Sequence, residues 1–296
     1  GQCNTAVGGQ NALACNTTGS TNTAIGYDAL CANTTAGDNT AVGKNSLKAN
    51  TTGTLNNAFG SGSLMANTTG GCNVAVGNDS LRFNTTANHN TAIGYQALNK
   101  NTTGCFNQAV GSFALGCNTT GCQNVAMGMS ALIANTTGDN NTALGRLALT
   151  ANTTASNNTA VGMEALKANT TGTGNVSVGK SSLSASTTAS SVTALGHNTL
   201  TANTTGASNT AIGRDALCAN TTAGCNTAIG YQALCANTTG ACNTAVGRDT
   251  LLATTTGVNN TAIGKTSGSI MLQEIIILFW VTMLNQQVVQ FQMKLL

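Results

Sequence analysis

Apolar and polar positions alternate along this chain with a fixed long period instead of the short periods of ordinary helices or strands. From Asn22, NTAIGYDALCANTTAGD is followed at Asn39 by NTAVGKNSLKANTTGTL, and the frame holds at 17 residues up to Asn260. An earlier copy at Asn4 carries one extra residue, giving sixteen repeat starts with the consensus N-T-A-(V/I)-G-x-x-(A/S)-L-x-A-N-T-T-G-x-x. Self-similarity of this kind is the signature of a solenoid, in which each repeat is one structural unit that buries its apolar face only by stacking on its neighbours.

Numbering each repeat from its first Asn, the fifth position is Gly in all sixteen copies. That glycine density, with Asn-Thr-Thr in every repeat, penalises any helix. Short strands separated by corners fit instead. The fourth position is always a large apolar residue, as in Val42, Ile93, Leu144, Ile212 and Ile229, and the ninth is Leu in every complete copy, as in Leu47, Leu98, Leu149, Leu217 and Leu234. These two columns are the expected core. Their odd separation would send them to opposite faces of one uninterrupted strand, so a corner is required between them. The Gly column, including Gly26, Gly43, Gly94, Gly145, Gly213 and Gly230, stands there, and Gly tolerates the positive φ or close backbone approach of a tight corner. A second corner is expected at Asn-Thr-Thr-Gly, where Asn caps turns and Gly supplies left-handed geometry. The predicted fold is all-β: a parallel β-solenoid of 17-residue coils over residues 1–268, followed by a non-repeat apolar tail at 269–296. At an inter-strand spacing of ~4.8 Å, fifteen or so coils extend for roughly 70 Å. One coil offers little apolar interior against the entropy of ordering its residues, so we expect an oligomer.

Composition strengthens the repeat reading. Only 6% of the residues are charged and 3% aromatic, and there is no proline; disordered chains instead carry high net charge and abundant Pro, Glu and Lys. The formal charge of +3 is spread thinly, which argues against nucleic acid as a partner. The chain opens at Gly1 without a charged n-region and apolar h-region, and is expected to be a fragment or processed product.

NTAIGYQAL at Asn90–Leu98 and again at Asn226–Leu234, each leading into NTTG, resembles the shaft repeats of phage and algal-virus tail fibres. It also resembles the head repeats of trimeric autotransporter adhesins, built from A-(I/V)-G-x-x-(S/A) units. Both are trimeric fibres, and the resemblance covers residues 4 to about 268. It implies a left-handed β-roll, a homotrimer, a location in a virion tail fibre or at a cell surface, and a structural role in host attachment. The receptor, a host-surface protein or glycan, would then be contacted through domains outside this chain. The tail holds the only Trp, Trp280, and its apolar run from Ile270 to Leu284 is interrupted by Gln273 and Glu274, short of the ~20 residues of a spanning helix. An amphipathic or coiled-coil terminus is one reading. We prefer a shifted reading frame: back-translation from the third base of each codon permits N-V-T-G-N-N-N-I-I-L-G-N-D-A, which resumes the fibre style, and it implies that residues 270–296 pack poorly on the solenoid.

Candidate chemistry is sparse. The eleven cysteines form no C-x-x-C, and His89 and His197 lie far apart, so no metal site is expected. Cys105 with Cys122, Cys218 with Cys235, and Cys225 with Cys242 are each 17 residues apart and are expected to stack as free thiols, since parallel in-register side chains disfavour disulfide torsion. Thirteen N-T-T triplets match the N-glycosylation pattern, among them Asn16, Asn67 and Asn203; their place at one corner of every coil favours a hydrogen-bonding ladder. Charges also form columns, with Lys44, Arg146, Arg214 and Arg248 at position six and Asp28, Asp79, Glu164, Asp215 and Asp249 at position seven, read as a solvated rim. Bases are too few for a nucleophile, base and orienting group to converge, and no phosphate-cradling loop is present. We expect no enzyme and no cofactor. Ice binding is disfavoured because Thr-Thr on a strand would give a single outward Thr column.

Overall fold

A computed structural model describes residues 1–269, and every strand within them is three residues long. Sixteen such strands, from β1 (Thr5–Val7) and β2 (Thr23–Ile25) to β16 (Thr261–Ile263), pair in chain order into one parallel sheet. The register is strict: Thr pairs with Thr, Ala with Ala and Ile with Val from β2 to β3 (Thr40–Val42), and the 17-residue offset repeats to the last pair. Only the first pair is offset by eighteen, Thr5 with Thr23; the extra residue falls at Gly8–Gly9, both with positive φ. The expected all-β solenoid is therefore the observed fold. The tail readings fall on residues 270–296 and lie outside the described residues.

The interior is narrower than the sequence pattern suggests. In each strand the middle residue points inward: Ala24, Ala41, Ala92, Ala143, Ala211 and Ala228 are fully buried. Opposite them lie Leu47, Leu98, Leu149, Leu217 and Leu234, also with no exposed surface, as expected. The fourth column corrects the expectation. Ile93 is 40% and Ile229 36% exposed, and Val42, Leu144 and Ile212 are only partly buried. The reason is strand alternation: positions three and four face opposite sides. An interior already crossed by a Leu and an Ala from each coil has no room for a second large side chain, so Ala takes the inward face.

The corners are tighter than expected. Glycines 26, 43, 94, 145, 213 and 230 have φ between 124° and 136°, and a Cβ on Gly145 would lie 2.6 Å from the carbonyl oxygen of Gly162 in the next coil. Both the backbone conformation and the stacking demand Gly there. The Asn-Thr-Thr-Gly corner, however, does not use left-handed glycine: Gly53, Gly70 and Gly138 are absent from the positive-φ set. Left-handed geometry falls instead on non-glycine residues at positions seven, nine and seventeen, as in Asp28, Leu30 and Asp38. A left-handed Leu costs roughly 1–2 kcal/mol, offset by the ~1.5–3 kcal/mol gained from full burial of its side chain.

Two asparagine ladders close each coil. Asn39 and Asn50, from opposite ends of one coil, both donate Nδ2 to the carbonyl of Gly53, each at 2.9 Å. Asn39 Oδ1 accepts the backbone N–H of Asn56 one coil on, at 2.9 Å, and Asn50 Nδ2 donates to Asn33 Oδ1 one coil back, at 3.0 Å. These buried amides are thereby satisfied within the stack, which removes the ~1–3 kcal/mol penalty of an unpaired buried polar group.

Candidate functional site

With the interior filled by Leu, Ala and Asn, chemistry available to a partner lies on the outer columns. The most continuous is position four. All sixteen strands end in Val, Ile, Leu, Met or Phe there, and Val7, Phe59, Ile93, Met127, Leu195 and Ile263 are each at least 40% exposed. In-register pairing places these side chains one above another at ~4.8 Å along the whole sheet. Contiguous exposed apolar surface on this scale is the kind that commonly accompanies interaction faces.

The Asn-Thr-Thr segment forms a bend instead of a strand, which corrects the strand geometry assumed for its threonines. The first Thr donates its hydroxyl to the matching carbonyl of the next coil, as in Thr51 to Thr68 at 3.1 Å and Thr102 to Thr119 at 3.0 Å. The glycosylation-pattern Asn67 and Asn203 are fully buried. Their Nδ2 groups donate to Gly70 and Gly206 carbonyls at 2.9 and 3.0 Å, so the acceptor nitrogen of the pattern is committed to the ladder.

A further ladder went unrecognised in the sequence because its residue type varies. At position sixteen, side-chain acceptors take the backbone N–H of the preceding coil: Asn88 Oδ1 from Gly71 at 2.6 Å, Cys122 Sγ from Cys105 at 3.1 Å, Asp139 Oδ1 from Cys122 at 2.7 Å, and Ser156 Oγ from Asp139 at 2.9 Å. Acceptor capacity is the shared property, and only the fold reveals it.

The stacked cysteines take three different roles, and all eleven are unpaired thiols. Cys105 and Cys122 belong to the position-sixteen ladder. Cys225 and Cys242 are exposed at the following corner. Cys218 and Cys235 are half-covered, and Cys218 Sγ lies 3.4 Å from the Cys235 carbonyl oxygen. There the Cys218 thiol is the donor; the Cys235 thiol beside it draws the Cys218 pKa down to about 7, while the neighbouring Cys218 and burial push Cys235 up. Among the described residues no three His, Cys, Asp or Glu side chains gather as a metal site.

The charged columns are tied down locally. Lys48 Nζ lies 2.8 Å from Asp28 Oδ2, and hydrogen bonds from Lys48 and Asn11 hold the Asp28 carboxyl below its usual range. Glu164 lies 3.8 Å from Arg146 and 3.6 Å from Lys167, and Asp79 is 3.2 Å from Arg82. Arg214 and Arg248 reach Asp215 and Asp249 through Nε at 3.1 and 3.0 Å. Among the described residues no helix is long and apolar enough to cross a membrane. Comparison with protein-family models, curated proteins and solved structures finds no match to this chain.

Proposed function

We propose that the chain is the shaft of an adhesive fibre, of the viral or phage tail-fibre kind, which works as a homotrimer and holds a receptor-binding tip away from the particle. The observation that carries this reading is the uninterrupted apolar stripe at position four on an in-register stack of parallel strands. A rod that stacks without a break supplies distance and stiffness. A stripe running its full length supplies a seam along which identical rods bury what one chain leaves half exposed. The number three rests on the resemblance to trimeric fibres. In such an assembly several tips act together, raising avidity without strong single contacts.

Sedimentation equilibrium and electron microscopy of the purified chain test the physical half: trimeric rods with a coiled segment of roughly 70 Å are expected, and monomers or globular particles would reject it. Replacing Val42, Leu144 and Ile212 together by Lys should release monomers that keep their β circular dichroism. Immunogold labelling with antibody raised against residues 1–268 tests the biological half. Gold along fibres projecting from particles is expected; gold on cells alone would move the chain to a cellular adhesin.

A further inference from the structure

Positive charge in the last coils is confined to one column. Every Lys and Arg between residues 168 and 268 occupies position six: Lys180, Arg214, Arg248 and Lys265, with His197 and Tyr231 in the intervening coils. All six are exposed. Earlier in the chain the column holds Lys44 and Arg146 among uncharged residues such as Ser61, Asn78 and Ser112, and Lys48, Arg82, Lys100 and Lys167 stand outside it, so the confinement of positive charge to position six belongs to this stretch and not to the repeat.

The arrangement at its centre is held in place. Tyr231 lies between two guanidinium groups, with Arg214 Cζ 5.9 Å and Arg248 Cζ 5.5 Å from its ring centroid. Each guanidinium also donates Nε to the carboxylate beside it, Asp215 or Asp249. Both side chains nevertheless remain 64% and 63% exposed. Cation–π contact and the ion pair fix the planes of the two groups, and the bonds to Asp215 and Asp249 use Nε alone, which leaves the Nη1–Nη2 edges for a planar anion. Arg214 and Arg248 stand two coils apart, roughly 10 Å along the sheet, and Lys180 stands a further two coils before Arg214.

We infer that this column is a binding strip for a linear acidic polysaccharide bearing about one carboxylate or sulfate per disaccharide, laid along the fibre axis. A two-coil interval is comparable with the length of an extended disaccharide, so successive cations meet successive acidic sugars. Tyr231, half apolar and half polar, suits the sugar between them. Nucleic acid fits less well. Duplex DNA carries a charge every ~1.7 Å of axis, far denser than this strip, and Asp215 and Asp249 would repel the phosphates left unmatched. The strip lies on the rod itself, so this binding is separate from any receptor contact made by a tip.

The test is binding of hyaluronan oligosaccharides, which carry one carboxylate per disaccharide, to the full chain by biolayer interferometry at low and physiological salt. Saturable binding that weakens as salt rises is expected. The Arg214→Gln/Arg248→Gln double variant should bind about tenfold more weakly or worse, and Lys44→Gln/Arg146→Gln should stay within about twofold of the parent. Absence of binding at low salt, or equal loss in both double variants, would overturn the strip. An oligothymidylate of matched charge that binds as tightly as hyaluronan would overturn the polysaccharide assignment.

Discussion

At the scale of single residues, the stack turns one sequence column into several chemical environments. Cys218 and Cys235 occupy the same repeat position in adjacent coils, yet their surroundings push the two thiols in opposite directions, Cys218 down and Cys235 up, because ionisation of one is favoured by the neutral thiol beside it and then disfavours ionisation of the other. The neutral Cys235 thiol favours the Cys218 thiolate, and only the thiolate is a nucleophile. Iodoacetamide should therefore alkylate Cys218 with a rate midpoint near pH 7. In Cys235→Ala that thiol is gone and the midpoint should rise by about one unit or more. Peptide mass mapping after timed alkylation reads both, and an unchanged midpoint in the variant would show that the neighbouring thiol does not set the reactivity. Cys235 should lag behind Cys218 throughout that pH range. Charged residues follow the same logic in milder form. Asp28 is held ionised by Lys48 and Asn11, so its contribution to stability is present above the unfolded carboxylate pKa and is lost as pH falls through the lower folded value.

At the scale of one coil, closure depends on the asparagine ladders, and the two interruptions of the second ladder, at position twelve, are informative. Asn169 Oδ1 and Asn237 Oδ1 are buried without a hydrogen-bond partner, and in both cases the next coil carries a different residue at the ladder position, Ser186 or Thr254. Ser186→Asn should supply the missing donor to Asn169 and a second bond to the Ala189 carbonyl, which now accepts from Asn175 alone among the ladder amides. The expected gain is about 1–2 kcal/mol, visible as a higher urea midpoint with an unchanged slope; a lower midpoint would mean that the serine coil has relaxed around its smaller side chain. The coil also shows what the sequence made legible. The period, the strand residues, the Leu column and the Gly corner could all be read from it, because each is an identity repeated at fixed spacing. The inward face was misassigned between positions three and four, although a signal was present. Position three is Ala in every copy except Ser177, while position four ranges from Val to Phe; constancy of size marks the crowded interior and variety marks the outside. Left-handed Leu could not have been foreseen, since nothing local favours it and only burial in the finished coil offsets its strain. The position-sixteen ladder was hidden for the converse reason, its role being shared by Asn, Cys, Asp and Ser. The strip is partly legible, because its arginines recur at one repeat position, but the cradle formed by Tyr231 and the two carboxylates exists only once the coils are stacked.

At the scale of the whole molecule, stability is a sum of coil and interface terms, each coil touching only its neighbours. Length is then adjustable in units of one period and in no other unit. Deleting residues 158–174 removes one full period and rejoins Asn157 to Asn175, so every column resumes in register. That variant should keep a single melting transition and shorten the rod by about 5 Å. Deleting 158–175 removes one residue more and leaves a coil that begins without its Asn. The Ala189 carbonyl then loses its Asn175 donor, and one turn is a residue too short to reach the next. The first coil shows that an additional residue is absorbed where Gly8 and Gly9 both take positive φ, but a missing residue has no comparable outlet. The stack should divide into two blocks, before and after the short coil, with two melting transitions by circular dichroism and trypsin cleavage appearing first at Lys180. A single transition in both variants would mean that coil closure contributes little to coupling along the rod. In that case stiffness, and with it the capacity to hold a tip at a distance, would have to come from the seam between chains.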